Sequence, residues 1–174
     1  MGVPRNCDKM GSQDQILKGL QAWAGHFYGA DATVERLVRL SGGASQETWS
    51  LDIVCGGRVE ELILRRAPGG HSQARNSEAI GLATEAKLLS CAKDSVPAPR
   101  VLQVFKPGSE IGEAFLMNRI SGQTIARKIL RDDTFSIART KLTRQCGAAL
   151  AGIHTLSLDS LPELPATDGL QQLA

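Results

Sequence analysis

No C-x-x-C pair occurs among the four cysteines, which stand at positions 7, 55, 91 and 146. Spacing that wide does not gather zinc ligands, so they read as reduced thiols. No apolar run approaches the roughly 18 residues that a membrane span needs, and no charged-then-apolar leader opens the chain. Asn6 stands where N-myristoylation wants Ser or Thr. The expectation is therefore a soluble intracellular protein with no membrane partner. Neither sign of charge dominates, with 20 Lys and Arg against 18 Asp and Glu. Such a balance gives no electrostatic case for nucleic acid. Internal repeats and low-complexity tracts are also missing.

What is present is a chain of 174 residues, 42% of them hydrophobic, enough for one sizeable domain or one domain and part of another. The first 13 residues read as a loose tail. From Asp14 to Phe27 the apolar positions Ile16, Leu17, Leu20, Trp23 and Phe27 recur at helical steps. Val34, Arg36, Val38 and Leu40 are expected to share one face of a strand. The turn Ser41–Ser45 follows, and then Trp49, Leu51, Ile53 and Cys55 alternate with more polar neighbours, the period of a half-buried strand. Gly56-Gly57 is a two-residue hairpin signal, and Val59 to Arg66 is the returning strand.

Ala67 to Ser77 is rich in turn formers and reads as a loop. A helix is expected from Glu78 to Ala92, strands at Val101–Phe105 and Ala114–Ile120, and helices at Thr124–Leu130 and Thr134–Leu156. Hairpins before a single inserted helix indicate an α+β lobe rather than a doubly wound sheet, because parallel strands need a crossover after each one. Residues 14–120 form that lobe in this reading, and 121–174 begin a second one.

The stretch "LSGGASQETW" places Ser41, Gly42, Gly43, Ala44 and Ser45 between two antiparallel strands. Dinucleotide and Walker loops run from a strand into a helix, so this turn is neither. Glycines at a hairpin let backbone N–H groups approach an anion with no side chain between. Arg65 ends the third strand, where a cation reaches phosphates, and Glu85 stands twenty residues on, inside the next helix, where it can orient that cation. A register slip to Arg66 would put the charge on the opposite face; Arg65 is preferred because it shares a face with Val59 and Ile63.

"LSGGASQETW", "LILRRAPGG", "TEAKLLSCAKDSVPAPRVL" and "AFLMNRISGQTI" together resemble successive motifs of the aminoglycoside phosphotransferase and choline kinase superfamily, with a protein-kinase-like fold, and most of all its branch associated with acyl-CoA dehydrogenases. The resemblance covers about Val34 to Leu156. It implies that Ser41 to Ser45 cover the phosphates of ATP, that Arg65 orients them, and that Glu85 is the partner of Arg65. It also implies that Met117 is the gatekeeper behind the adenine, with the Asn118 carbonyl and the Ile120 backbone as the hinge. The acceptor would be a small hydroxylated substrate. Arg65 departs from the lysine usual at this place, which exchanges a compact ammonium for a planar fork.

The H-G-D-x-x-x-x-N loop and the following D-x-D/E of that superfamily do not occur in these residues. Asp159, Asp168 and His154 lack the required flanks. The base and the Mg²⁺ ligands are thus expected in a further C-terminal part, which makes the chain by itself inactive in phosphoryl transfer. Two alternatives stay open: a short form that binds nucleotide or a partner without catalysis, and an interaction domain whose glycine turn is only a turn. The stripe Leu142, Ala149, Leu150 and Ile153 is expected to lie partly exposed and to favour self-association.

Overall fold

The structure is a computed structural model describing residues 7–41, 46–71 and 80–164. Helix α1 (Cys7–Tyr28) leads into strands β1 (Thr33–Arg39), β2 (Glu47–Cys55) and β3 (Arg58–Arg66). Helix α2 (Leu82–Ala92), strands β4 (Val101–Phe105) and β5 (Ala114–Asn118), and helices α3 (Ala126–Arg131) and α4 (Ser136–His154) follow. The five strands form one antiparallel sheet in the order β1-β2-β3-β5-β4, the α+β arrangement expected for the first lobe.

Helix α1 begins at Cys7, inside what the sequence presents as a loose tail. The early turns carry no apolar periodicity, so the pattern that reveals Asp14–Phe27 is silent there. Gln13 Nε2 donates to the Leu37 carbonyl at 3.3 Å, and Gln21 bridges the Ala32 carbonyl and the Val34 N–H. These bonds hold the helix along the first strand.

The β2–β3 hairpin turns on Gly56 and Gly57 at φ +54° and +76°, the positive values a type I′ turn requires. Its register runs from Glu47 opposite Arg66 to Cys55 opposite Arg58, so each face is set over nine residues. One face carries Trp49, Leu51, Ile53, Leu62, Leu64, Ala114 and Leu116 and packs on Ile16, Leu20 and Ala24 of α1. Burying each large aliphatic side chain there contributes about 1.5–3 kcal/mol. The opposite face carries Ile63, Arg65, Phe115 and Met117, and α2 covers part of it through Leu82, Ala86 and Leu89.

Strand β1 departs from simple alternation. Its pairing with β2 shifts between Val34 and Arg36, and the extra residue reverses the faces beyond it. Val34 and Leu37 therefore pack toward α1, whereas Val38 and Leu40 point the other way and remain 41% and 43% exposed. The four residues expected to share one face do not.

Helix α2 starts at Leu82 after Gly81; residues 78 and 79 of the expected helix lie outside the described residues. Strand β5 ends at Asn118, two residues before the expected Ile120, and the Arg119 N–H then donates to the Glu61 carbonyl. Helix α4 carries Ile137, Leu142, Leu150 and Ile153 exposed to solvent. Its tie to α3 is Arg139, which donates to the Ile129 and Asp132 carbonyls, and Gly152 lies close against the Ser95 carbonyl.

After β3 the chain makes a short 3₁₀ turn at Pro68–Gly70 that presses on the turn before β5. Gly112 has φ +83°, and a Cβ built there would stand 2.5 Å from Gly70 Cα. Reciprocal bonds, Ala67 N–H to the Glu113 carbonyl and Glu113 N–H to the Gly70 carbonyl, seal the contact. Gly112→Ala is expected to cost about 2 kcal/mol, from both overpacking and a left-handed alanine, read as a lower urea midpoint with unchanged slope.

Candidate functional site

The face opposite α1 is built from cross-strand rows. Thr48, Arg65 and Phe115 make one row, Val38, Ser50, Ile63 and Met117 the next, and Arg36, Asp52 and Glu61 the third. Helix α2 stands at the Arg65 end of this face. Arg65 Nη2 donates to Glu85 Oε2 at 3.1 Å, and Arg65 Nε lies 3.0 Å from Glu85 Oε1. The second contact is an ion pair bent away from the N–H direction, since Nε has no aligned acceptor. Both side chains remain about 30% accessible, 30% for Arg65 and 29% for Glu85. The pair thus holds a cation against the sheet and leaves part of it open to a ligand.

Arg66 does something different. Its side chain is 4% exposed and faces the α1 side, where Nη1 meets Glu47 Oε2 at 2.8 Å and Nε donates to the Ile111 carbonyl. Glu47 also accepts from the Gly69 N–H and Trp49 Nε1. Burial acts to raise the Glu47 pKa, but the Arg66 hydrogen bond, the Gly69 N–H and the Arg66 charge outweigh it and hold the carboxyl below its usual range. The two adjacent arginines therefore differ, Arg65 half-open beside α2 on one face and Arg66 locking the fold on the other.

Met117 lies between Ile63 and Val101 in the sheet and packs against the α2 cluster. The Asn118 side-chain oxygen accepts from the Arg100 N–H while the Asn118 backbone N–H donates to the Arg100 carbonyl, so this residue fixes β5 to the segment before β4. Ile120, just past the strand, is 61% exposed. Ser41 is exposed at the end of β1; Gly42, Gly43, Ala44 and Ser45 lie outside the described residues. The structure thus brings Arg65, Glu85 and Met117 to one face, with Asn118 and Ile120 at its edge.

Sequence reasoning missed Arg119. Its Nη1 donates to Ser50 Oγ at 2.7 Å and lies 3.0 Å from Asp52 Oδ1, and its Nη2 meets the Glu61 carboxylate. Asp52 also faces Arg36 at 3.7 Å. The signal was present in the strand period, since position 119 continues the alternation of Phe115 and Met117.

The sheet order and the single inserted helix are consistent with one comparison. A family model described as the phosphotransferase enzyme family matches residues 36–171. The chain belongs to this family. No curated protein matches it significantly. Membership agrees with the resemblance of the motifs to the aminoglycoside phosphotransferase and protein-kinase-like superfamily, and it makes a transferase of phosphoryl groups the general activity. Phosphotransferases of this kind generally use ATP and a metal ion. Among the described residues no three His, Cys, Asp or Glu side chains converge as a metal site, so no metal-dependent step is assigned to them. No helix among the described residues is long and apolar enough to cross a membrane.

Proposed function

We propose that this phosphotransferase chain forms the ATP-binding lobe of an enzyme that moves the γ-phosphate to a hydroxyl of a small substrate. The observation that carries the reading is the Arg65–Glu85 pair: a cation on the cleft side of the sheet, aimed by a carboxylate on α2 and partly open. The planar fork of a guanidinium can meet two phosphate oxygens at once. The neighbouring surface supports a base: Val38 and Leu40 are exposed on the same side, beside Ile63, Met117 and Ile120. Ser41 to Ser45 would cover the phosphates, with the Asn118 carbonyl and Ile120 backbone meeting the adenine edge. Transfer itself is positioning and charge neutralisation, and the base and Mg²⁺ ligands belong, in this reading, to a further part of the enzyme.

Thermal unfolding with and without ATP–Mg²⁺ tests the proposal. A ligand that binds only the native state stabilises it by about 1.4 kcal/mol at ten times its Kd, so millimolar ATP is expected to raise the melting temperature. An unchanged melting temperature up to 10 mM ATP would count for a lobe whose glycine turn is only a turn.

The exposed apolar residues of α4 favour a second property, association. Leu142, Leu150 and Ile153, on one side of α4, are 44%, 54% and 48% exposed, an apolar patch of the kind that marks an interaction face. Light scattering is expected to show mass rising with concentration, and Leu150→Glu to suppress the rise. A clean monomer at every concentration would remove this reading.

A further inference from the structure

We propose that Arg119 is the base-stacking residue of this lobe, its guanidinium forming the part of the cleft ceiling against which a purine ring lies. The inference rests on the nucleotide reading above and goes beyond it in assigning the platform for the base. Arg119 sits between the two positions expected to meet the adenine edge, and its side chain lies on the same face as Met117 and Arg65. It reaches across β3 to Ser50, which stands in the same cross-strand row as Ile63 and Met117. Ser50 beneath it is only 4% exposed.

Both Nη atoms of this guanidinium already have partners. Nη1 donates to Ser50 Oγ and lies 3.0 Å from Asp52 Oδ1 without an aligned hydrogen bond, and Nη2 donates to Glu61. What such a group still offers is the flat of its plane, and the side chain is 21% accessible. A planar cation held by its edges is a stacking surface for an aromatic ring. The charge around it balances, since Arg36 and Arg119 face Asp52 and Glu61. The cluster as a whole therefore presents no net charge to a phosphate.

The distribution of aromatic residues strengthens the assignment. Trp23, Phe27, Tyr28, Trp49 and Phe105 gather on the α1 side. Phe115 faces α2 but is fully buried, and Phe135 lies between α3 and α4. Among the described residues of the cleft face, the Arg119 plane is the flat surface left for a base.

The test titrates the full 174-residue chain with ATP–Mg²⁺ and, separately, with tripolyphosphate, which carries the phosphates and no base. Arg119→Ala is expected to weaken ATP about tenfold beyond any loss seen with tripolyphosphate, the scale of one stacked base, since the negative charge left on Asp52 and Glu61 acts on both ligands. Arg119→Lys keeps the charge toward Asp52 and Glu61 but has no plane, so it is not expected to rescue. If ATP binds both variants as it binds the unmodified chain, or if Arg119→Lys restores affinity in full, the stacking assignment falls while the nucleotide reading stands. If Arg119→Ala weakens both ligands alike, Arg119 serves the sheet and the assignment is again overturned. If the unmodified chain binds neither ligand, the nucleotide reading fails and takes the assignment with it.

Discussion

Replacing Glu47 with alanine is expected to destabilise the chain by about 3–5 kcal/mol, the usual cost of leaving one partner of a buried ion pair uncompensated. Arg66 is enclosed, with its guanidinium committed to Glu47 and to the Ile111 carbonyl and its outer edge against Gly70. Without the carboxylate, a full positive charge would sit between the β3–α2 turn and the turn before β5, with the Gly69 N–H and Trp49 Nε1 also losing their acceptor. Urea unfolding measures the loss. Pairing Glu47→Leu with Arg66→Met is expected to recover most of it, because two apolar side chains of similar volume leave no charge to solvate. A cost below 1 kcal/mol for Glu47→Ala would mean that water reaches the pair.

The same pair sets a pH dependence. Glu47 is held below its ordinary pKa by Arg66 and Gly69 against the opposing effect of burial. A carboxyl depressed in the fold contributes stability that is fully present above its unfolded pKa of about 4.3 and is lost as pH falls through the lower folded value. Acid unfolding below about pH 4.3 should therefore be steeper in the unmodified chain than in Glu47→Gln.

Arg65→Ala is expected to weaken ATP by about 100-fold, since in the proposed role it removes the charged donor to the phosphates and each charge-assisted bond contributes about 1.5–3 kcal/mol. Its effect on stability should be small. The Arg65–Glu85 pair is partly exposed on both sides, and pairs of that kind contribute up to about 1 kcal/mol. Glu85→Gln should weaken ATP about tenfold, because it leaves the cation in place but frees its direction. The contrast separates the two adjacent arginines: one variant loses ligand and keeps its fold, while removing the partner of the other loses fold. Equal ATP affinity in Arg65→Ala and the unmodified chain would contradict the role given to Arg65.

Much of this was legible in the order of residues. Strands β2 and β3 show a clean two-residue period, Gly56-Gly57 names its own turn, and β4 falls within the expected Val101–Phe105. The pairing of Arg65 with Glu85 followed from their places in the order of elements, and the register puts Arg66 on the far face. Other features depend on three-dimensional pairing. The bulge after Val34 reverses the faces of β1 with no glycine to announce it, so Val38 and Leu40 came to the cleft side unforeseen. Nothing in the sequence singles out Glu47, and Arg66 has no partner on the far face until the hairpin register sets the two opposite one another. Arg119 acquires its setting from Ser50, Asp52 and Glu61, which the strand order brings beneath it. The early turns of α1 lack an apolar stripe altogether.

The most direct test of the central claim, that a carboxylate-held guanidinium on the covered face of the sheet receives the phosphates of ATP, is a nuclear magnetic resonance titration of the nitrogen-15 labelled chain with ATP–Mg²⁺. The account predicts saturable shifts in the Arg65 Nε–H signal and in the backbone amides of Met117 and Asn118, with the signals of α4 unmoved. Shifts confined to α4, or an Arg65 signal that stays fixed while others saturate, would contradict it.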